Sequence, residues 1–369
     1  MVSTTNKHTD QITTAQAAVL VINYTLGASI MTISRNLLEA ARTPDIWISV
    51  ILSGLICFLA GLFILWLCQR FRGKTLYEFM PEITGKSVAY VIIIIMIVYF
   101  ITMSAYELRM MTEVTSDFLL EGTPRWSIIM AFMWIALYLN VGGINSMARL
   151  NEIVLPITLI FFMVCILSSL NLFDIKQLRP VLGAGITPVL HGIMPALSAL
   201  TGYEILFILI AFMKTPKQGI RALHAGVWIP TMIILITVIL SIGVLGLYAT
   251  ANKTYPTLTL VRSYEYQGLI FERFESLMLV IWIMQMFTSF SIMHYAASLG
   301  CSTMFNKKPN SLLFVTLPLI FIVSMVPKTL METVKLGEML GVASIILFGG
   351  FPPILLLVSV IRKKGMRRK

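Results

Sequence analysis

Glu204 is the residue whose setting first suggests chemistry. It stands inside Leu190–Met213, LHGIMPALSALTGYEILFILIAFM, a run apolar enough to lie in a membrane yet interrupted by Gly192, Pro195 and Gly202. A carboxylate near a bilayer centre costs about 2.5–3.5 kcal/mol on insertion scales, so it needs a compensating environment. Gly202 loosens the helix just before it and frees backbone groups that a ligand can take. A broken membrane helix with a charge beside the break suits a solute site at the midplane. The plainer alternative is a kinked structural helix whose Glu204 bonds to a neighbour or stays neutral. A second apolar run, holding TLGASIMTISR, carries Gly27 at a matching place. Glycine also serves close helix packing, so the match alone leaves both readings open.

The elements that hold these residues follow from composition. Of the 369 residues, 57% are hydrophobic and 12% charged, with a mean hydropathy of +0.87. A soluble fold cannot hide that much apolar surface, so the chain is expected to be an all-α, multi-spanning membrane protein in a lipid bilayer. Met1–Gln11 is polar and the first apolar run lacks a basic leader and an A-x-A site, so no cleavable signal peptide is expected. Cys57, Cys68, Cys165 and Cys301 are scattered through or beside apolar runs with no C-x-x-C, which leaves packing as their role. No P-loop, H-E-x-x-H or G-x-S-x-G occurs, and no nucleophile, base and orienting group converge. An enzyme, a metal site and an organic cofactor are therefore not expected.

Ten spans are read along the chain: 12–38, 44–69, 87–112, 126–141, 146–170, 190–213, 222–249, 276–303, 311–326 and 335–361. A basic interfacial loop separates the second from the third, and a loop beginning YPTLTL follows the seventh. The net charge of +11 invites a nucleic-acid reading, but the basic residues sit in short loops and in the tail, RKKGMRRK. With the N-terminus inside, 17 of the 28 Lys and Arg fall on the inner side. The positive-inside rule then puts both termini in the cytoplasm, with residues 362–369 a basic tail that meets anionic lipid. Two broken runs, each followed by four others, suggest a 5+5 repeat within one transmembrane domain, about 12–171 and about 183–361. Because five is odd, the second half starts from the opposite face, so the repeat is inverted.

TLGASIMTISR resembles the G-x-G stretch of the first helix in amino acid–polyamine–organocation transporters. More narrowly, GGINSMARLNE (142–152), GYEILFILIAFMKTPKQ (202–218), YPTLTL (255–260) and FERFE (271–275), in this order and spacing, resemble the permease-like B subunits of spore nutrient-germinant receptors. The resemblance runs from Ile12 to about Arg362. It implies a ten-helix inverted-repeat fold with broken first and sixth helices, in the inner membrane of a bacterial endospore, both termini on the core side. It also implies sensing of a small nutrient germinant (amino acid, sugar or nucleoside) beside a membrane A subunit and a lipoprotein C subunit.

Carried over position by position, the resemblance implies a ligand near Gly27, Ala28, Ser29 and Ile30 and near Leu200, Thr201, Gly202, Tyr203 and Glu204. In the superfamily, amides of the two broken helices take an amino acid's carboxylate and carbonyls take its ammonium, in keeping with helix-end dipoles. Ser29 departs from the pattern, standing where the second glycine is usual. Glu107, in AYELRMM, matches a polar third-helix position that lines the same vestibule; the alternative is that it pairs with Arg109 or a basic loop. Thr288, Ser289 and Ser291 either help form a sodium site with carbonyls of the first helix, as in some relatives, or bond back to their own helix. His294 is either a proton relay or a satisfied interior histidine. KTPKQ and FERFE anchor loops at the two surfaces or dock partner subunits. Three functions remain: a ligand-binding receptor subunit, a working secondary transporter of amino acids or similar solutes, and a structural membrane subunit.

Overall fold

A computed structural model describes residues 10–263 and 274–365. Its helices are α1 (Thr14–Thr25), α2 (Ile33–Ala41), α3 (Ile46–Arg70), α4 (Leu76–Thr84), α5 (Lys86–Phe118), α6 (Arg125–Val141) and α7 (Gly143–Ser169), then α8 (Thr187–Ala199), α9 (Leu206–Phe212), α10 (Gly219–Asn252), α11 (Pro256–Arg262), α12 (Phe274–Phe305), α13 (Pro309–Ser324), α14 (Leu330–Ser344) and α15 (Phe351–Ile361). Among the described residues the extended pairing is limited to one isolated bridge, Ile12 with Met213. The fold is all-α, as the composition required.

The ten expected spans each appear as a helix or a broken helix pair, but the count by length is lower. Six segments are long and apolar enough to cross a membrane: α3, α5, α7, α10, α12 and the run 330–361. The pair α8 and Tyr203–Phe212, bent by 44° at its break, makes a seventh. α6 and α13 are shorter apolar helices, and α1 with α2 is the first broken run, its break cutting both halves below spanning length. The third span is longer than expected, continuing six residues past Thr112 to Phe118. The last passes through a π-helical stretch, Ile345–Gly350, before Pro352.

Local chemistry sets the ends. Thr13 and Gln16 cap α1 reciprocally, the hydroxyl accepting the Gln16 amide at 3.2 Å and the Gln16 side chain accepting the Thr13 amide at 2.9 Å. Thr75 and Glu78 form the same box on α4. That helix buries Leu76, Tyr77, Phe79, Met80 and Ile83 and leaves Glu82 to pair with Lys74, so the basic loop is an amphipathic surface helix. The stretch YPTLTL, expected as a loop, opens α11. Pro256 suits a first helical turn, and the Thr257 hydroxyl donates to the Ile30 carbonyl at 2.9 Å. Most of FERFE lies outside the described residues, as does the end of the basic tail.

Packing places the two broken runs at the centre. α5 and α12 lie along one another, and α1 rests against α12. α1 contacts α9, whereas α2 contacts α8. The first half of one broken run thus meets the second half of the other, as an inverted repeat produces. α10 closes the opposite side against α1, α2 and α3. Where α3 crosses α10, Gly54 faces Thr231 and Gly61 faces Leu223, with no room for a further carbon at either glycine. Small residues at a crossing let membrane helices approach closely. Replacing Gly61 by Leu should separate them at a cost of about 1–3 kcal/mol. The expected outcome is a melting temperature several degrees lower in detergent by intrinsic fluorescence; an unchanged midpoint would show slack at the crossing.

Candidate functional site

The first break begins where α1 stops. Leu26 still donates to the Ile22 carbonyl at 3.0 Å, but Gly27 turns the chain away, Ala28–Met31 forms a single 3-10 turn, and α2 restarts at Ile33. A side chain at Gly27 would overlap the Glu107 carboxylate from α5. The groups around the break find partners within the protein. The Ala28 amide donates to both Glu107 oxygens, each at 3.2 Å. The Gly27 carbonyl accepts from Trp282 Nε1 at 3.1 Å. The Asn23 carbonyl accepts from Gln285 Nε2 at 2.7 Å and from the Ser289 hydroxyl at 2.9 Å.

The sixth run breaks at Gly202, whose φ of +156° and ψ of −28° belong to a region that residues with a Cβ avoid. Its amide donates to Glu204 Oε2 at 2.6 Å. Glu204 Oε1 accepts from the Tyr24 hydroxyl at 3.0 Å and the Tyr99 hydroxyl at 3.2 Å. Fully buried, this carboxylate joins α1, α5 and the second break in one knot. The two breaks also touch: a Cβ on Gly202 would collide with the Thr25 hydroxyl, and Ser29 Oγ donates to the Ala199 carbonyl at 3.3 Å.

A cavity of about 520 Å³ opens beside this junction. The first run gives it Tyr24, Thr25 and Ser29, α5 gives Met103, Tyr106 and Glu107, and the end of α8 gives Ala199 with Thr201 beyond it. Its outer part runs past Gly337 and Glu338 of α14 to Glu39 and Ala40 at the end of α2. Of the residues expected at a ligand, Ser29, Glu107 and Thr201 line this space. Gly27, Ala28, Leu200, Gly202, Tyr203 and Glu204 build the breaks behind it, and Ile30 faces a separate apolar cavity of about 80 Å³ that also touches Trp282. Tyr24, Met103 and Tyr106 were not expected. Met103 shares a helical face with Glu107, four residues away, which is the signal that finds it once Glu107 is placed; Tyr106, adjacent to Glu107, has no such spacing.

The structure gives each of the open alternatives a set of contacts. Arg109 pairs with Glu113 at 2.8 Å, and Arg125 holds the other Glu113 oxygen at 2.9 Å, so Glu107 is not Arg109's partner. Thr288 and Ser291 donate back to Gln285 and Phe287 carbonyls, at 2.7 and 2.8 Å. Ser289 reaches the first helix, but as a donor beside the Gln285 amide, where a cation would need acceptors. His294 sits between Asn140 at 3.1 Å on Nδ1 and Leu313 and Thr316 at 3.2 and 3.0 Å on Nε2, an interior histidine with both nitrogens engaged. Thr215 and Gln218 of the KTPKQ loop hold the Thr14 hydroxyl, each at 3.1 Å. Among the described residues, no three His, Cys, Asp or Glu side chains group to hold a metal ion.

Comparison with known proteins extends the resemblance. A family model described as spore germination protein matches residues 11–333. Spore germination protein YndE of Bacillus subtilis (strain 168) is 46% identical over 357 residues, covering 97% of this chain and 98% of that protein. The structure of Mhp1, a nucleobase-cation-symport-1 family transporter with bromovinylhydantoin bound, aligns with a TM-score of 0.74 at 11% identity, over 96% of this chain and 80% of that one. The crystal structure of MhsT in complex with L-phenylalanine aligns with a TM-score of 0.66 at 12% identity, over 94% and 97%. At such identities the structural likeness speaks for the fold, which is that of inverted-repeat transporters. The protein is a multi-pass membrane protein of permease type and not an enzyme, and the chain belongs to the spore germination protein family, as a relative of the permease-like B subunits of germinant receptors.

Proposed function

We propose that this chain is the nutrient-sensing membrane subunit of a spore germinant receptor. A small solute enters the cavity of about 520 Å³ and binds among Ser29, Glu107 and Thr201, with Gly27, Ala28, Ile30, Leu200, Gly202, Tyr203 and Glu204 shaping the site from behind. The observation that carries this reading is that two broken helices touch at the wall of one open cavity. A solute lodged there contacts both halves of the repeat and can favour one arrangement of them. It shifts that equilibrium only by its differential affinity for the two states. The reading places the protein in the spore inner membrane with both termini on the core side and Glu39 at the outer mouth, as the basic loops favour. A membrane A subunit and a lipoprotein C subunit then receive the bias. An amino acid is the first solute to test, because the similarly folded MhsT holds L-phenylalanine.

The donors at the Asn23 carbonyl bear on the rival reading, a sodium-driven transporter. Gln285 and Ser289 supply from the protein what a bound cation would otherwise supply to that oxygen. The deciding experiment is thermal stability of the purified chain in lipid against amino acids, sugars, nucleosides and ions, followed by solute counterflow in proteoliposomes. A ligand at about 100 times its Kd adds about 2.7 kcal/mol to the state that binds it. A selective shift, lost in Gly27→Trp, without counterflow is the expected result; counterflow by this chain alone would make it a transporter. The Glu204 knot has its own test. Gln at 204 keeps the shape but cannot accept from two tyrosines and the Gly202 amide together, leaving a buried donor unpaired at about 1–3 kcal/mol. Glu204→Gln should melt several degrees lower even without solute; an unaltered melt would show that the carboxylate is not what holds the breaks together.

A further inference from the structure

We propose that the solute of this cavity carries an ammonium group and that Glu107 receives it; the inference rests on the cavity being the solute site. Glu107 is 3% exposed and lies on the cavity wall. Its one hydrogen-bond donor among the described residues is the Ala28 amide, shared between both oxygens at 3.2 Å. Charge-assisted bonds to a carboxylate usually measure about 2.7–2.9 Å, and an ionised carboxylate has about four acceptor positions. The cation nearest in sequence, Arg109, is committed to Glu113. A buried charge left with a single long neutral donor is costly unless a cation joins it.

The rest of the wall points the same way. Among the described residues, three carboxylates line the cavity, Glu39, Glu107 and Glu338; its one basic side chain is the exposed His191, and no Lys or Arg lines it. Glu39 at the mouth is offset by Arg35 at 2.7 Å, which leaves Glu107 and Glu338 to set the sign. The hydroxyl and amide side chains that also line it, among them Tyr24, Thr25, Ser29, Asn36 and Thr201, are neutral. Such a cleft concentrates cations and repels anions. A solute carboxylate, by contrast, finds the Ala28 and Gly202 amides already engaged by Glu107 and Glu204. The geometry therefore favours amines and amino acids, held by the ammonium end, over sugars and nucleosides.

The test uses the full chain in lipid nanodiscs and titration calorimetry with four probe sets: free L-amino acids, their C-terminal amides, their N-acetyl derivatives, and glucose with inosine. Binders are expected only in the first two sets, because acetylation removes the cation and amidation does not. Glu107→Gln keeps an oxygen for the Ala28 amide. It should weaken the best binder at least tenfold while raising the melting temperature of the free protein, since it deletes a buried acid that has no cationic partner among the described residues. Glu107→Asp, with the charge retained, should recover part of the affinity and all of the selectivity for ammonium, which covers the case that the Gln variant fails to fold. Binding of glucose, inosine or an N-acetyl compound that Glu107→Gln leaves unchanged would overturn the ammonium inference. The solute site would then stand if Gly27→Trp abolished that binding. Silence of the folded wild-type chain toward all four sets would overturn both.

Discussion

Everything central in this fold depends on one constraint: a helix broken inside an apolar slab frees backbone amides and carbonyls that no water is at hand to satisfy. The chain answers with its own side chains. Glu204 takes the Gly202 amide and two tyrosine hydroxyls, Glu107 takes the Ala28 amide, and Trp282, Thr257, Gln285 and Ser289 donate to carbonyls of the first run. Two residues that looked in the sequence like binding groups for a solute are thus first of all partners of the breaks. Glu204 is wholly committed to that work. Glu107 is only half committed, and the difference separates a structural acid from one that still faces a cavity.

The division of labour follows from which element carries each acid. Glu204 sits two residues past Gly202, in the turn that leads into α9, and folds back on the amide of its own break. Glu107 comes from α5, which packs along α12 and does not break. It therefore holds the first break from a neighbouring helix. On the proposed reading, a solute that draws Glu107 toward itself would loosen the Ala28 contact, so that binding and the freedom of the first run would meet at one side chain.

Much of this was legible because polar residues are rare in membrane spans and each one must be explained. Gly27, Gly202, Glu107 and Glu204 stand out against their apolar surroundings, and all four lie at the breaks. Tyr24 and Tyr106 were illegible for the same reason in reverse: aromatic residues are ordinary in apolar runs, and nothing local marks one as facing a cavity. The role of Gln285 was missed because it acts across space on Asn23, 262 residues away. The helix at Pro256–Arg262 hid behind a Pro- and Thr-rich stretch that reads as a turn. The orientation of the halves followed from parity alone, and the crossing of α1 with α9 and α2 with α8 agrees with it.

Which parts are free to move can be argued from where the chain is pinned. At the end away from the cavity mouth, the Ile12 amide bonds to the Phe212 carbonyl and the Lys214 amide to the Ile12 carbonyl, both at 2.9 Å. Asp10 accepts the Ile144 and Asn145 amides at the start of α7, at 3.2 and 3.1 Å, and Gln16 reaches Glu152 at 3.2 Å. The first run, the sixth run and α7 are thereby tied at that end by backbone and charge. At the cavity end α8 lies against both α2 and α14, and residues of all three line the cavity. On the proposed reading, a solute that fills the cavity meets α2, α8 and α14 directly and the bridge at Ile12 not at all, so a partner that senses the solute would be sought on the cavity side of the bundle.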